Sequence, residues 1–262
     1  MVTKITSGRL IRSGRVQDGL NVILEDGRIA EVTARDLPSD TVIDARGQYV
    51  SPGFIDIHTH GGGDADFMDG TPEAFLTAAE LHARFGTTTL VPTATSGTAE
   101  EMSGMEAAFE QALSKNERGA DMPGLHLEGP YFSMAQRGAQ DPKYVRNPDP
   151  AEYLPILERS RHILRWSAAP ELPGALEFGR ELKRRGILAA IGHTDADYDQ
   201  VVAAAKAGYS HVTHLYSCMS TVHRKNAFRY AGVVEAAYLL DELTVEVIAD
   251  GVHLPASLLR FV

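Results

Sequence analysis

Histidine and carboxylate side chains recur along this chain in short motifs that each follow an apolar run. The first is Asp56-Ile57-His58-Thr59-His60. Because residues i and i+2 of a strand point to the same side, His58 and His60 can reach one metal ion together. Imidazole and carboxylate donors in one set suit zinc, iron or a similar divalent metal, so the pattern predicts metal chemistry.

Further polar motifs also close apolar runs: His126-Leu127-Glu128-Gly129-Pro130, Gly192-His193-Thr194, Thr213-His214-Leu215-Tyr216 and Ala249-Asp250-Gly251-Val252-His253. A single histidine at a strand end is more often a hydrogen-bonded structural residue than a ligand. Five such motifs on successive strands are hard to explain by structure alone. We interpret His82, His126, His162 and His211 as structural, whereas His223 fits either interpretation.

The elements that must position these motifs alternate between strand and helix after Pro52. Apolar runs predict strands at 54–57, 87–92, 125–128, 163–168, 187–191, 211–215 and 245–248. Helical spacing predicts helices at 72–85, 99–115, 151–159, 175–185 and 198–207. This alternation implies an α/β fold with a parallel sheet. Polar motifs after strand upon strand favour a TIM-like (β/α)8 barrel with its last unit missing, and a doubly wound open sheet is the rival.

The first fifty residues have a different texture. Short strand-like runs are predicted at 21–24, 28–33, 41–43 and 48–50. Between the first two runs lies Glu25-Asp26-Gly27, whose Asp-Gly pair is a strong hairpin-turn signal. Ser51-Pro52-Gly53 then interrupts the chain. We therefore expect two domains, 1–50 and 51–262.

Composition narrows the classes of partner. The formal net charge of −10 argues against nucleic acid or an anionic membrane as the main partner, although a local basic pocket could still bind a small anion. Cys218 is the single cysteine, which excludes an intrachain disulfide and fits a reducing, cytoplasmic setting. The N-terminus has no apolar signal-peptide core, and no run approaches the ~20 apolar residues that span a bilayer.

Taken in order, PGFIDIHTHGGG, HLEGP, GHT, THLY and ADGVH resemble the amidohydrolase superfamily. HLEGP with the later THLY and ADGVH is similar, more specifically, to the N-acetylglucosamine-6-phosphate deacetylases, and the resemblance covers essentially the whole chain. It implies a metal-dependent hydrolase barrel with a small N-terminal β-sandwich segment. It also implies a homodimer that hydrolyses N-acetylglucosamine 6-phosphate to glucosamine 6-phosphate and acetate in amino-sugar catabolism.

Carried over residue by residue, the resemblance implies one or two zinc or iron ions per chain. The implied ligands are Glu128, His193 and His214 for a principal ion, with His58 and His60 for a second. The implied substrate contacts are Ala139, Gln140, Ser217, Cys218, Arg224, Lys225, Asp250, Gly251 and His253. Arg224 or Lys225 would meet the phosphate, often from the neighbouring subunit. Gln140 replaces a usual histidine and Ser217-Cys218 a common Asn-Ala, so a changed sugar preference stays open.

The implied reaction is metal-assisted hydrolysis of an acetamide. The ion polarises the carbonyl and lowers the pKa of a water toward about 7. A carboxylate carries the water proton to the leaving amine, and His253 stabilises the oxyanion or orients substrate. The resemblance places that carboxylate, an aspartate, on an eighth strand beyond Val262. We therefore expect a truncated chain or a natural short form, and expect residues 1–262 alone to hold metal poorly and deacetylate negligibly.

Two alternatives stay open at this stage. A cyclic-amide hydrolase resembling dihydroorotase would use a modified lysine on the fourth strand, but 163–168 contains no lysine. A non-catalytic protein that binds metal or sugar phosphate would need no proton-transferring aspartate. The reading frame beyond Val262 separates this last alternative from the deacetylase.

Overall fold

The computed structural model describes residues 1–262, which divide into two compact units, Met1–Phe54 and Ile55–Val262. The first unit contains β1 (Val2–Thr6), β2 (Arg9–Arg12), β3 (Arg15–Gln17), β4 (Asn21–Glu25), β5 (Arg28–Thr33), β6 (Thr41–Asp44) and β7 (Tyr49–Val50). They form a four-stranded sheet, β5-β4-β1-β6, and a three-stranded sheet, β3-β2-β7. Asp26 and Gly27, both with positive φ, make the predicted turn between β4 and β5.

The second unit alternates strands and helices. Its strands are β8 (Phe54–Thr59), β9 (Gly61–Gly62), β10 (Ala65–Asp66), β11 (Thr87–Ala94), β12 (Leu125–Glu128), β13 (Ile163–Ala168), β14 (Leu188–Ile191), β15 (Tyr209–Val212), β16 (His223–Lys225), β17 (Phe228–Tyr230) and β18 (Thr244–Val245). Its helices are α1 (Pro72–Arg84), α2 (Ala99–Leu113), α3 (Pro150–Arg159), α4 (Ala175–Arg184), α5 (Tyr198–Ala207), α6 (Val233–Leu239) and α7 (Ala256–Leu259). Short 3₁₀ turns lie at Phe67–Asp69 and Met134–Gln136.

Seven strands of this unit form one sheet in the order β18-β15-β14-β13-β12-β11-β8. Neighbours from β11 to β18 are parallel. The spatial order follows the chain order without a reversal, as in a TIM-type barrel, whereas a doubly wound sheet reverses at a switch point. The prediction of a barrel-type α/β fold is confirmed, and all carboxyl ends lie at one edge.

Local sequence explains where the helices begin and end. The Thr71 hydroxyl accepts a hydrogen bond from the Ala74 amide, and Pro72 follows as the first residue of α1. The Asp197 carboxylate caps α5 in the same way, with Gln200 completing a capping box. Gly208 ends α5 at φ 113°, a conformation that glycine adopts without strain.

Some predicted elements were wrong in extent. The strand predicted at 211–215 ends at Val212, and the one predicted at 245–248 ends at Val245. In the first case the chain turns at His214, which has φ 32°. The β16–β17 hairpin and α6 were not predicted, because these elements are too short for their apolar residues to show a period.

The two faces of the large sheet differ in polarity. Sheet residues that face the helices are apolar. Trp166 of β13 forms a buried aromatic group there with Tyr131, Tyr153 of α3 and Phe178 of α4. Alternate residues on the opposite face are buried but polar: Thr93, His126, Arg165, Ser167 and His211. Of this polar layer, His126 lies on β12 and His211 on β15, two strands that end at histidine motifs. No helix of the chain is both long enough and apolar enough to cross a bilayer.

Truncating the aromatic group should destabilise the fold measurably. Phe178 is fully buried and its ring contacts Tyr131, Tyr153 and Trp166. We expect Phe178→Ala to lower the free energy of unfolding in urea by about 3–5 kcal/mol, because a cavity remains. Phe85→Ala, at a ring that is 78% exposed, should change it by less than about 0.5 kcal/mol. Equal effects from the two variants would contradict this packing.

Candidate metal centre

Four strands deliver a carboxylate and four imidazoles to the same edge of the sheet. His58 and His60 come from the end of β8, and Glu128 is the last residue of β12. His193 follows β14 and His214 follows β15. The last two have positive φ, 50° and 32°, which is uncommon and costly for non-glycine residues. Such strain at two neighbouring histidines is typical of a functional site.

Every one of these imidazoles directs its Nε2 atom at Glu128. The Glu128 Oε1 atom lies 3.0 Å from His214 Nε2, 3.2 Å from His193 Nε2 and 3.4 Å from His58 Nε2. Its Oε2 atom lies 3.3 Å from His60 Nε2. The donor atoms fall into two groups that share this carboxylate: His58, His60 and Glu128, and Glu128, His193 and His214. The structure thus brings together all five residues for which the sequence predicted metal ligation.

The far nitrogen of three of these rings faces an oxygen that can only accept. His193 Nδ1 is 2.9 Å from the Gln136 carbonyl oxygen, and His60 Nδ1 is 3.1 Å from that of Thr93. His58 Nδ1 is 2.7 Å from Glu246 Oε1. Each Nδ1 therefore carries the hydrogen, and in a neutral ring the Nε2 lone pair points at the Glu128 carboxylate. Imidazole lone pairs and a carboxylate repel one another at this distance, so the arrangement is stable only with a cation between them.

A proton on the imidazole is one such cation, and the raised pKa values of His58 and His193 indicate that these rings bind protons tightly. Burial alone lowers the pKa of His58, but hydrogen bonds to Glu128 and Glu246 outweigh burial and raise it to about 9. Burial likewise lowers the pKa of His193, while contacts with Cys218 and Glu128 raise it to about 10. For Glu128, burial raises the pKa, but its four imidazole partners hold it well below its ordinary value. The carboxylate is therefore ionised.

A divalent metal ion is the other cation that fits. The donors are imidazole nitrogens and a carboxylate, which suit zinc, iron and similar ions. Glu128 and His193 are 2% and 5% exposed, whereas the His60 side chain is 37% exposed. The cluster is thus closed on the sheet side and open at His60. The ring of His193 also stacks on Phe132, with centroids 4.3 Å apart, which fixes its orientation.

The loop that precedes α3 covers part of this cluster. Gln140 is buried; its Nε2 donates to Glu128 Oε2 at 3.0 Å, and its Oε1 accepts from the Ser96 amide at 2.7 Å. Ala139, the adjacent predicted substrate contact, is exposed. Gln140 therefore contacts the candidate ligand Glu128 directly, a role that the sequence analysis did not foresee.

The other predicted substrate residues lie in two turns and a hairpin. Ser217 and Cys218 are half-buried in the turn directly after His214. Arg224 and Lys225 are exposed on β16. The remaining predicted contacts, Asp250, Gly251 and His253, lie in an exposed turn.

That last turn is held by its own hydrogen bonds. The Asp250 carboxylate accepts from the amides of Val252 and His253 and lies 2.7 Å from His253 Nδ1. These bonds lower the pKa of Asp250 to about 2. None of them reaches Glu128 or its histidines. The structure therefore does not bring His253 to the cluster, and its catalytic role stays a prediction.

The four histidines interpreted as structural make contacts with residues other than Glu128. His82 bonds to the Gly61 carbonyl, and His162 lies near Glu110. His126 contacts Ser167 and Arg165 in the polar layer, and burial followed by the Arg165 charge lowers its pKa well below the ordinary value. His211 lies in the same layer.

Glu246 and Arg165 are the charged residues near the cluster that the sequence analysis missed. Glu246 directly follows β18, and Arg165 lies within β13. Each is a charged residue inside an otherwise apolar run, and this is the signal that could have found them. Burial raises the pKa of Glu246, but His211, His58 and Arg165 together lower it far below its ordinary value.

Comparisons with known proteins agree with the geometry. Residues 49–261 match the model of the Amidohydrolase family. The chain is 35% identical to N-acetylglucosamine-6-phosphate deacetylase of Bacillus subtilis (strain 168), over 95% of this chain and 62% of that protein. It is 33% identical to N-acetylgalactosamine-6-phosphate deacetylase of Escherichia coli O157:H7, over 93% of this chain and 61% of the relative. The chain thus spans about three fifths of the length of these curated relatives.

A solved structure shows the same similarity in three dimensions. It is a variant of N-acetyl-D-glucosamine-6-phosphate deacetylase from Mycobacterium smegmatis in complex with N-acetyl-D-glucosamine-6-phosphate. The TM-score is 0.85 at 30% sequence identity, covering 100% of this chain and 66% of that one. The fold is therefore shared across the length of this chain.

The pKa values predict an unusual dependence of stability on pH when a chelator removes divalent ions. A histidine whose folded pKa is raised stabilises the fold fully below its unfolded value of 6.5, and loses that contribution as pH rises through about 9 for His58 and about 10 for His193. We expect the urea midpoint of the chelated protein to fall between pH 6.5 and pH 10. Saturating zinc should reverse the slope, because ligation needs unprotonated imidazole.

The control separates these histidines from other titrating groups. His193→Asn should flatten the fall, whereas His162→Asn, outside the cluster, should leave it unchanged. An equal fall in wild type and in His193→Asn would contradict the assignment.

Proposed function

Because the chain belongs to the amidohydrolase family, we propose that it supplies the metal site of an enzyme that hydrolyses an N-acetyl amino-sugar 6-phosphate. The proposed substrate is N-acetylglucosamine 6-phosphate, and the products are glucosamine 6-phosphate and acetate. Water adds its oxygen to the acetyl carbon, the C–N bond breaks, and the amine nitrogen takes a proton. The names of the similar proteins support this choice of substrate class.

One observation carries the proposal. Four imidazole Nε2 atoms converge on the Glu128 carboxylate at 3.0–3.4 Å, and three of these rings have their Nδ1 hydrogen committed elsewhere. A bound divalent ion would supply Lewis-acid chemistry, by polarising a carbonyl and lowering the pKa of a water. We propose zinc or iron, in one or two ions, held by the two donor groups that share Glu128.

The residues of the chain divide the remaining tasks. Glu128, His193 and His214 are buried and hold one fixed donor set. The more exposed His60 borders the side from which a substrate can approach. We propose that Ala139, Ser217 and Cys218 border the sugar and that Gln140 holds Glu128 in place. His253, with Asp250 and Gly251 in its turn, orients substrate in this proposal and meets the developing oxyanion.

The wider biological setting belongs to the same proposal. The single cysteine supports a reducing, cytoplasmic compartment. The exposed β16–β17 hairpin, with Arg224 and Lys225, supports a homodimer in which each subunit offers basic side chains to its neighbour's substrate. Residues 1–50 and 51–262 are then a small β-sandwich segment and the metal-dependent hydrolase barrel.

The two alternatives have less support. A cyclic-amide hydrolase of the dihydroorotase kind would need a lysine on β13, which carries Arg165 and no lysine. A non-catalytic protein that binds metal or sugar phosphate could hold an ion in the same cluster, but the similar proteins are named as deacetylases. The name of the E. coli relative keeps the galactosamine epimer as a second candidate sugar.

Removing the shared carboxylate should abolish the function. Replacing a residue that only hydrogen-bonds to a metal ligand typically weakens metal affinity by ~10–100-fold. We expect Glu128→Gln to weaken zinc binding by more than this, because it removes a charged ligand that both donor groups share. Metal content by elemental analysis and acetate release, each compared with wild type, measure the effect. Glu106→Gln, at a buried glutamate outside the cluster, should keep the metal content and the acetate release of wild type. A metal content equal to that of wild type in Glu128→Gln would contradict the proposal.

The phosphate should be recognised by the basic hairpin. We expect the double variant Arg224→Ala/Lys225→Ala to raise KM for the phosphorylated sugar by about 10-fold to 100-fold, since a hydrogen bond to a charged group contributes roughly 1.5–3 kcal/mol. KM for the unphosphorylated sugar should not change. Arg118→Ala, at an exposed arginine outside the hairpin, is the control and should leave KM unchanged. Equal turnover of the two sugars by wild type would show that the hairpin is only a solvated basic surface.

A further inference from the structure

A buried ion pair lies beneath the candidate metal centre and takes no part in the proposed reaction. Arg165 and Glu246 are 4% and 9% exposed. Their closest atoms, Arg165 Nη1 and Glu246 Oε2, are 2.5 Å apart. Burying two charges costs several kcal/mol per ion, and replacing such a pair by apolar residues is often neutral or stabilising. Stability alone therefore does not explain why this ion pair is buried here, and we look for a role in its position beneath the metal centre.

Glu246 lies directly behind one of the candidate ligands. Its Oε1 atom is 2.7 Å from His58 Nδ1 and accepts from the His214 amide at 3.1 Å. Its Oε2 atom faces Arg165 and, at 3.5 Å, His211 Nε2. One carboxylate thus contacts the rear of the His58 ring and the backbone of His214.

Arg165 fixes that carboxylate against β8. Its Nη2 atom donates to the Ile57 carbonyl at 3.1 Å and lies 2.7 Å from His126 Nδ1. Ile57 immediately precedes His58, so the guanidinium holds both the strand that carries His58 and the carboxylate that orients its ring. Such planar, multiple donation is specific to arginine.

We propose that Glu246 is a positioning residue for metal binding: it fixes the Nδ1–H tautomer of His58 and aims Nε2 at the ion, while Arg165 holds Glu246 in place. The inference rests on the proposed metal site and adds residues that support it. Partners of this kind orient metal-ligating histidines and raise their basicity.

The geometry argues against a direct catalytic role for Glu246. It contacts His58 at Nδ1, on the side of the ring away from Glu128. It belongs to neither of the two donor groups that could hold an ion. Both of its oxygens are occupied by the contacts above, so it has no free lone pair directed at the cluster. Its action on the metal passes through the candidate ligands that it contacts, and His58 is the one whose ring it orients.

The test is a double-mutant cycle in zinc affinity, measured by competition with a chromophoric chelator. We expect Glu246→Gln to weaken binding of the ion that His58 holds by about 10-fold to 100-fold. His58→Asn should weaken it at least as much. Because Glu246 acts through His58, the combined variant should bind no more weakly than His58→Asn. Ser167→Ala, which removes a different buried hydrogen bond of the polar layer, should keep wild-type affinity.

Each other outcome decides the question. Wild-type affinity in Glu246→Gln, full additivity with His58→Asn, or no effect of His58→Asn would overturn the inference while the proposed function stands. Absence of any zinc binding by wild type, even at zinc concentrations that fill weak sites, would overturn the proposed function. If Glu246→Gln does not fold, Glu246→Asp keeps the charge opposite Arg165 but withdraws it from His58, and should show the same loss. If neither variant folds with chelator present, the pair serves the fold and the inference fails.

Discussion

The constraint on which the site depends is the charge of a single buried carboxylate. Glu128 is 2% exposed and ionised, and four imidazoles surround it. Three of those rings have Nδ1 hydrogen-bonded to acceptor oxygens, so neutral rings would present lone pairs to an anion. Only protons or a metal ion can make that arrangement stable. The same geometry that binds protons tightly is therefore one that suits a divalent cation.

The barrel-type sheet makes this arrangement possible. Parallel strands in chain order bring the ends of β8, β12, β14 and β15 to one edge. Below that edge, the polar layer replaces the apolar filling usual for a small barrel. Arg165 of this layer pairs with Glu246, and the two residues join β13, β8 and the segment after β18. The support of the site thus runs across the sheet, and the loops complete it from above, as Gln140 does for Glu128.

Much of this could be predicted from sequence because the signals are local. Most strand and helix runs from β8 to α5 follow from apolar spacing. The five candidate ligands lie in motifs that close those runs, and the resemblance to the amidohydrolase superfamily selects them from those motifs. The positive φ of His193 and His214 could not be predicted, since non-glycine residues rarely adopt it. The pairing of Arg165 with Glu246, 81 residues apart, could not be predicted either. Which charged residues meet depends on the register of four neighbouring strands. A charged residue within each apolar run was nevertheless visible.

The central claim is that imidazole nitrogens and the Glu128 carboxylate form the inner coordination sphere of a divalent ion. X-ray absorption spectroscopy of the zinc-loaded protein tests this directly. The account predicts nitrogen and oxygen donors at about 2.0–2.2 Å, with the multiple scattering of at least two imidazoles and no sulfur. A sulfur shell near 2.3 Å, which would place Cys218 on the metal, or an all-oxygen shell without imidazole scattering, would contradict it.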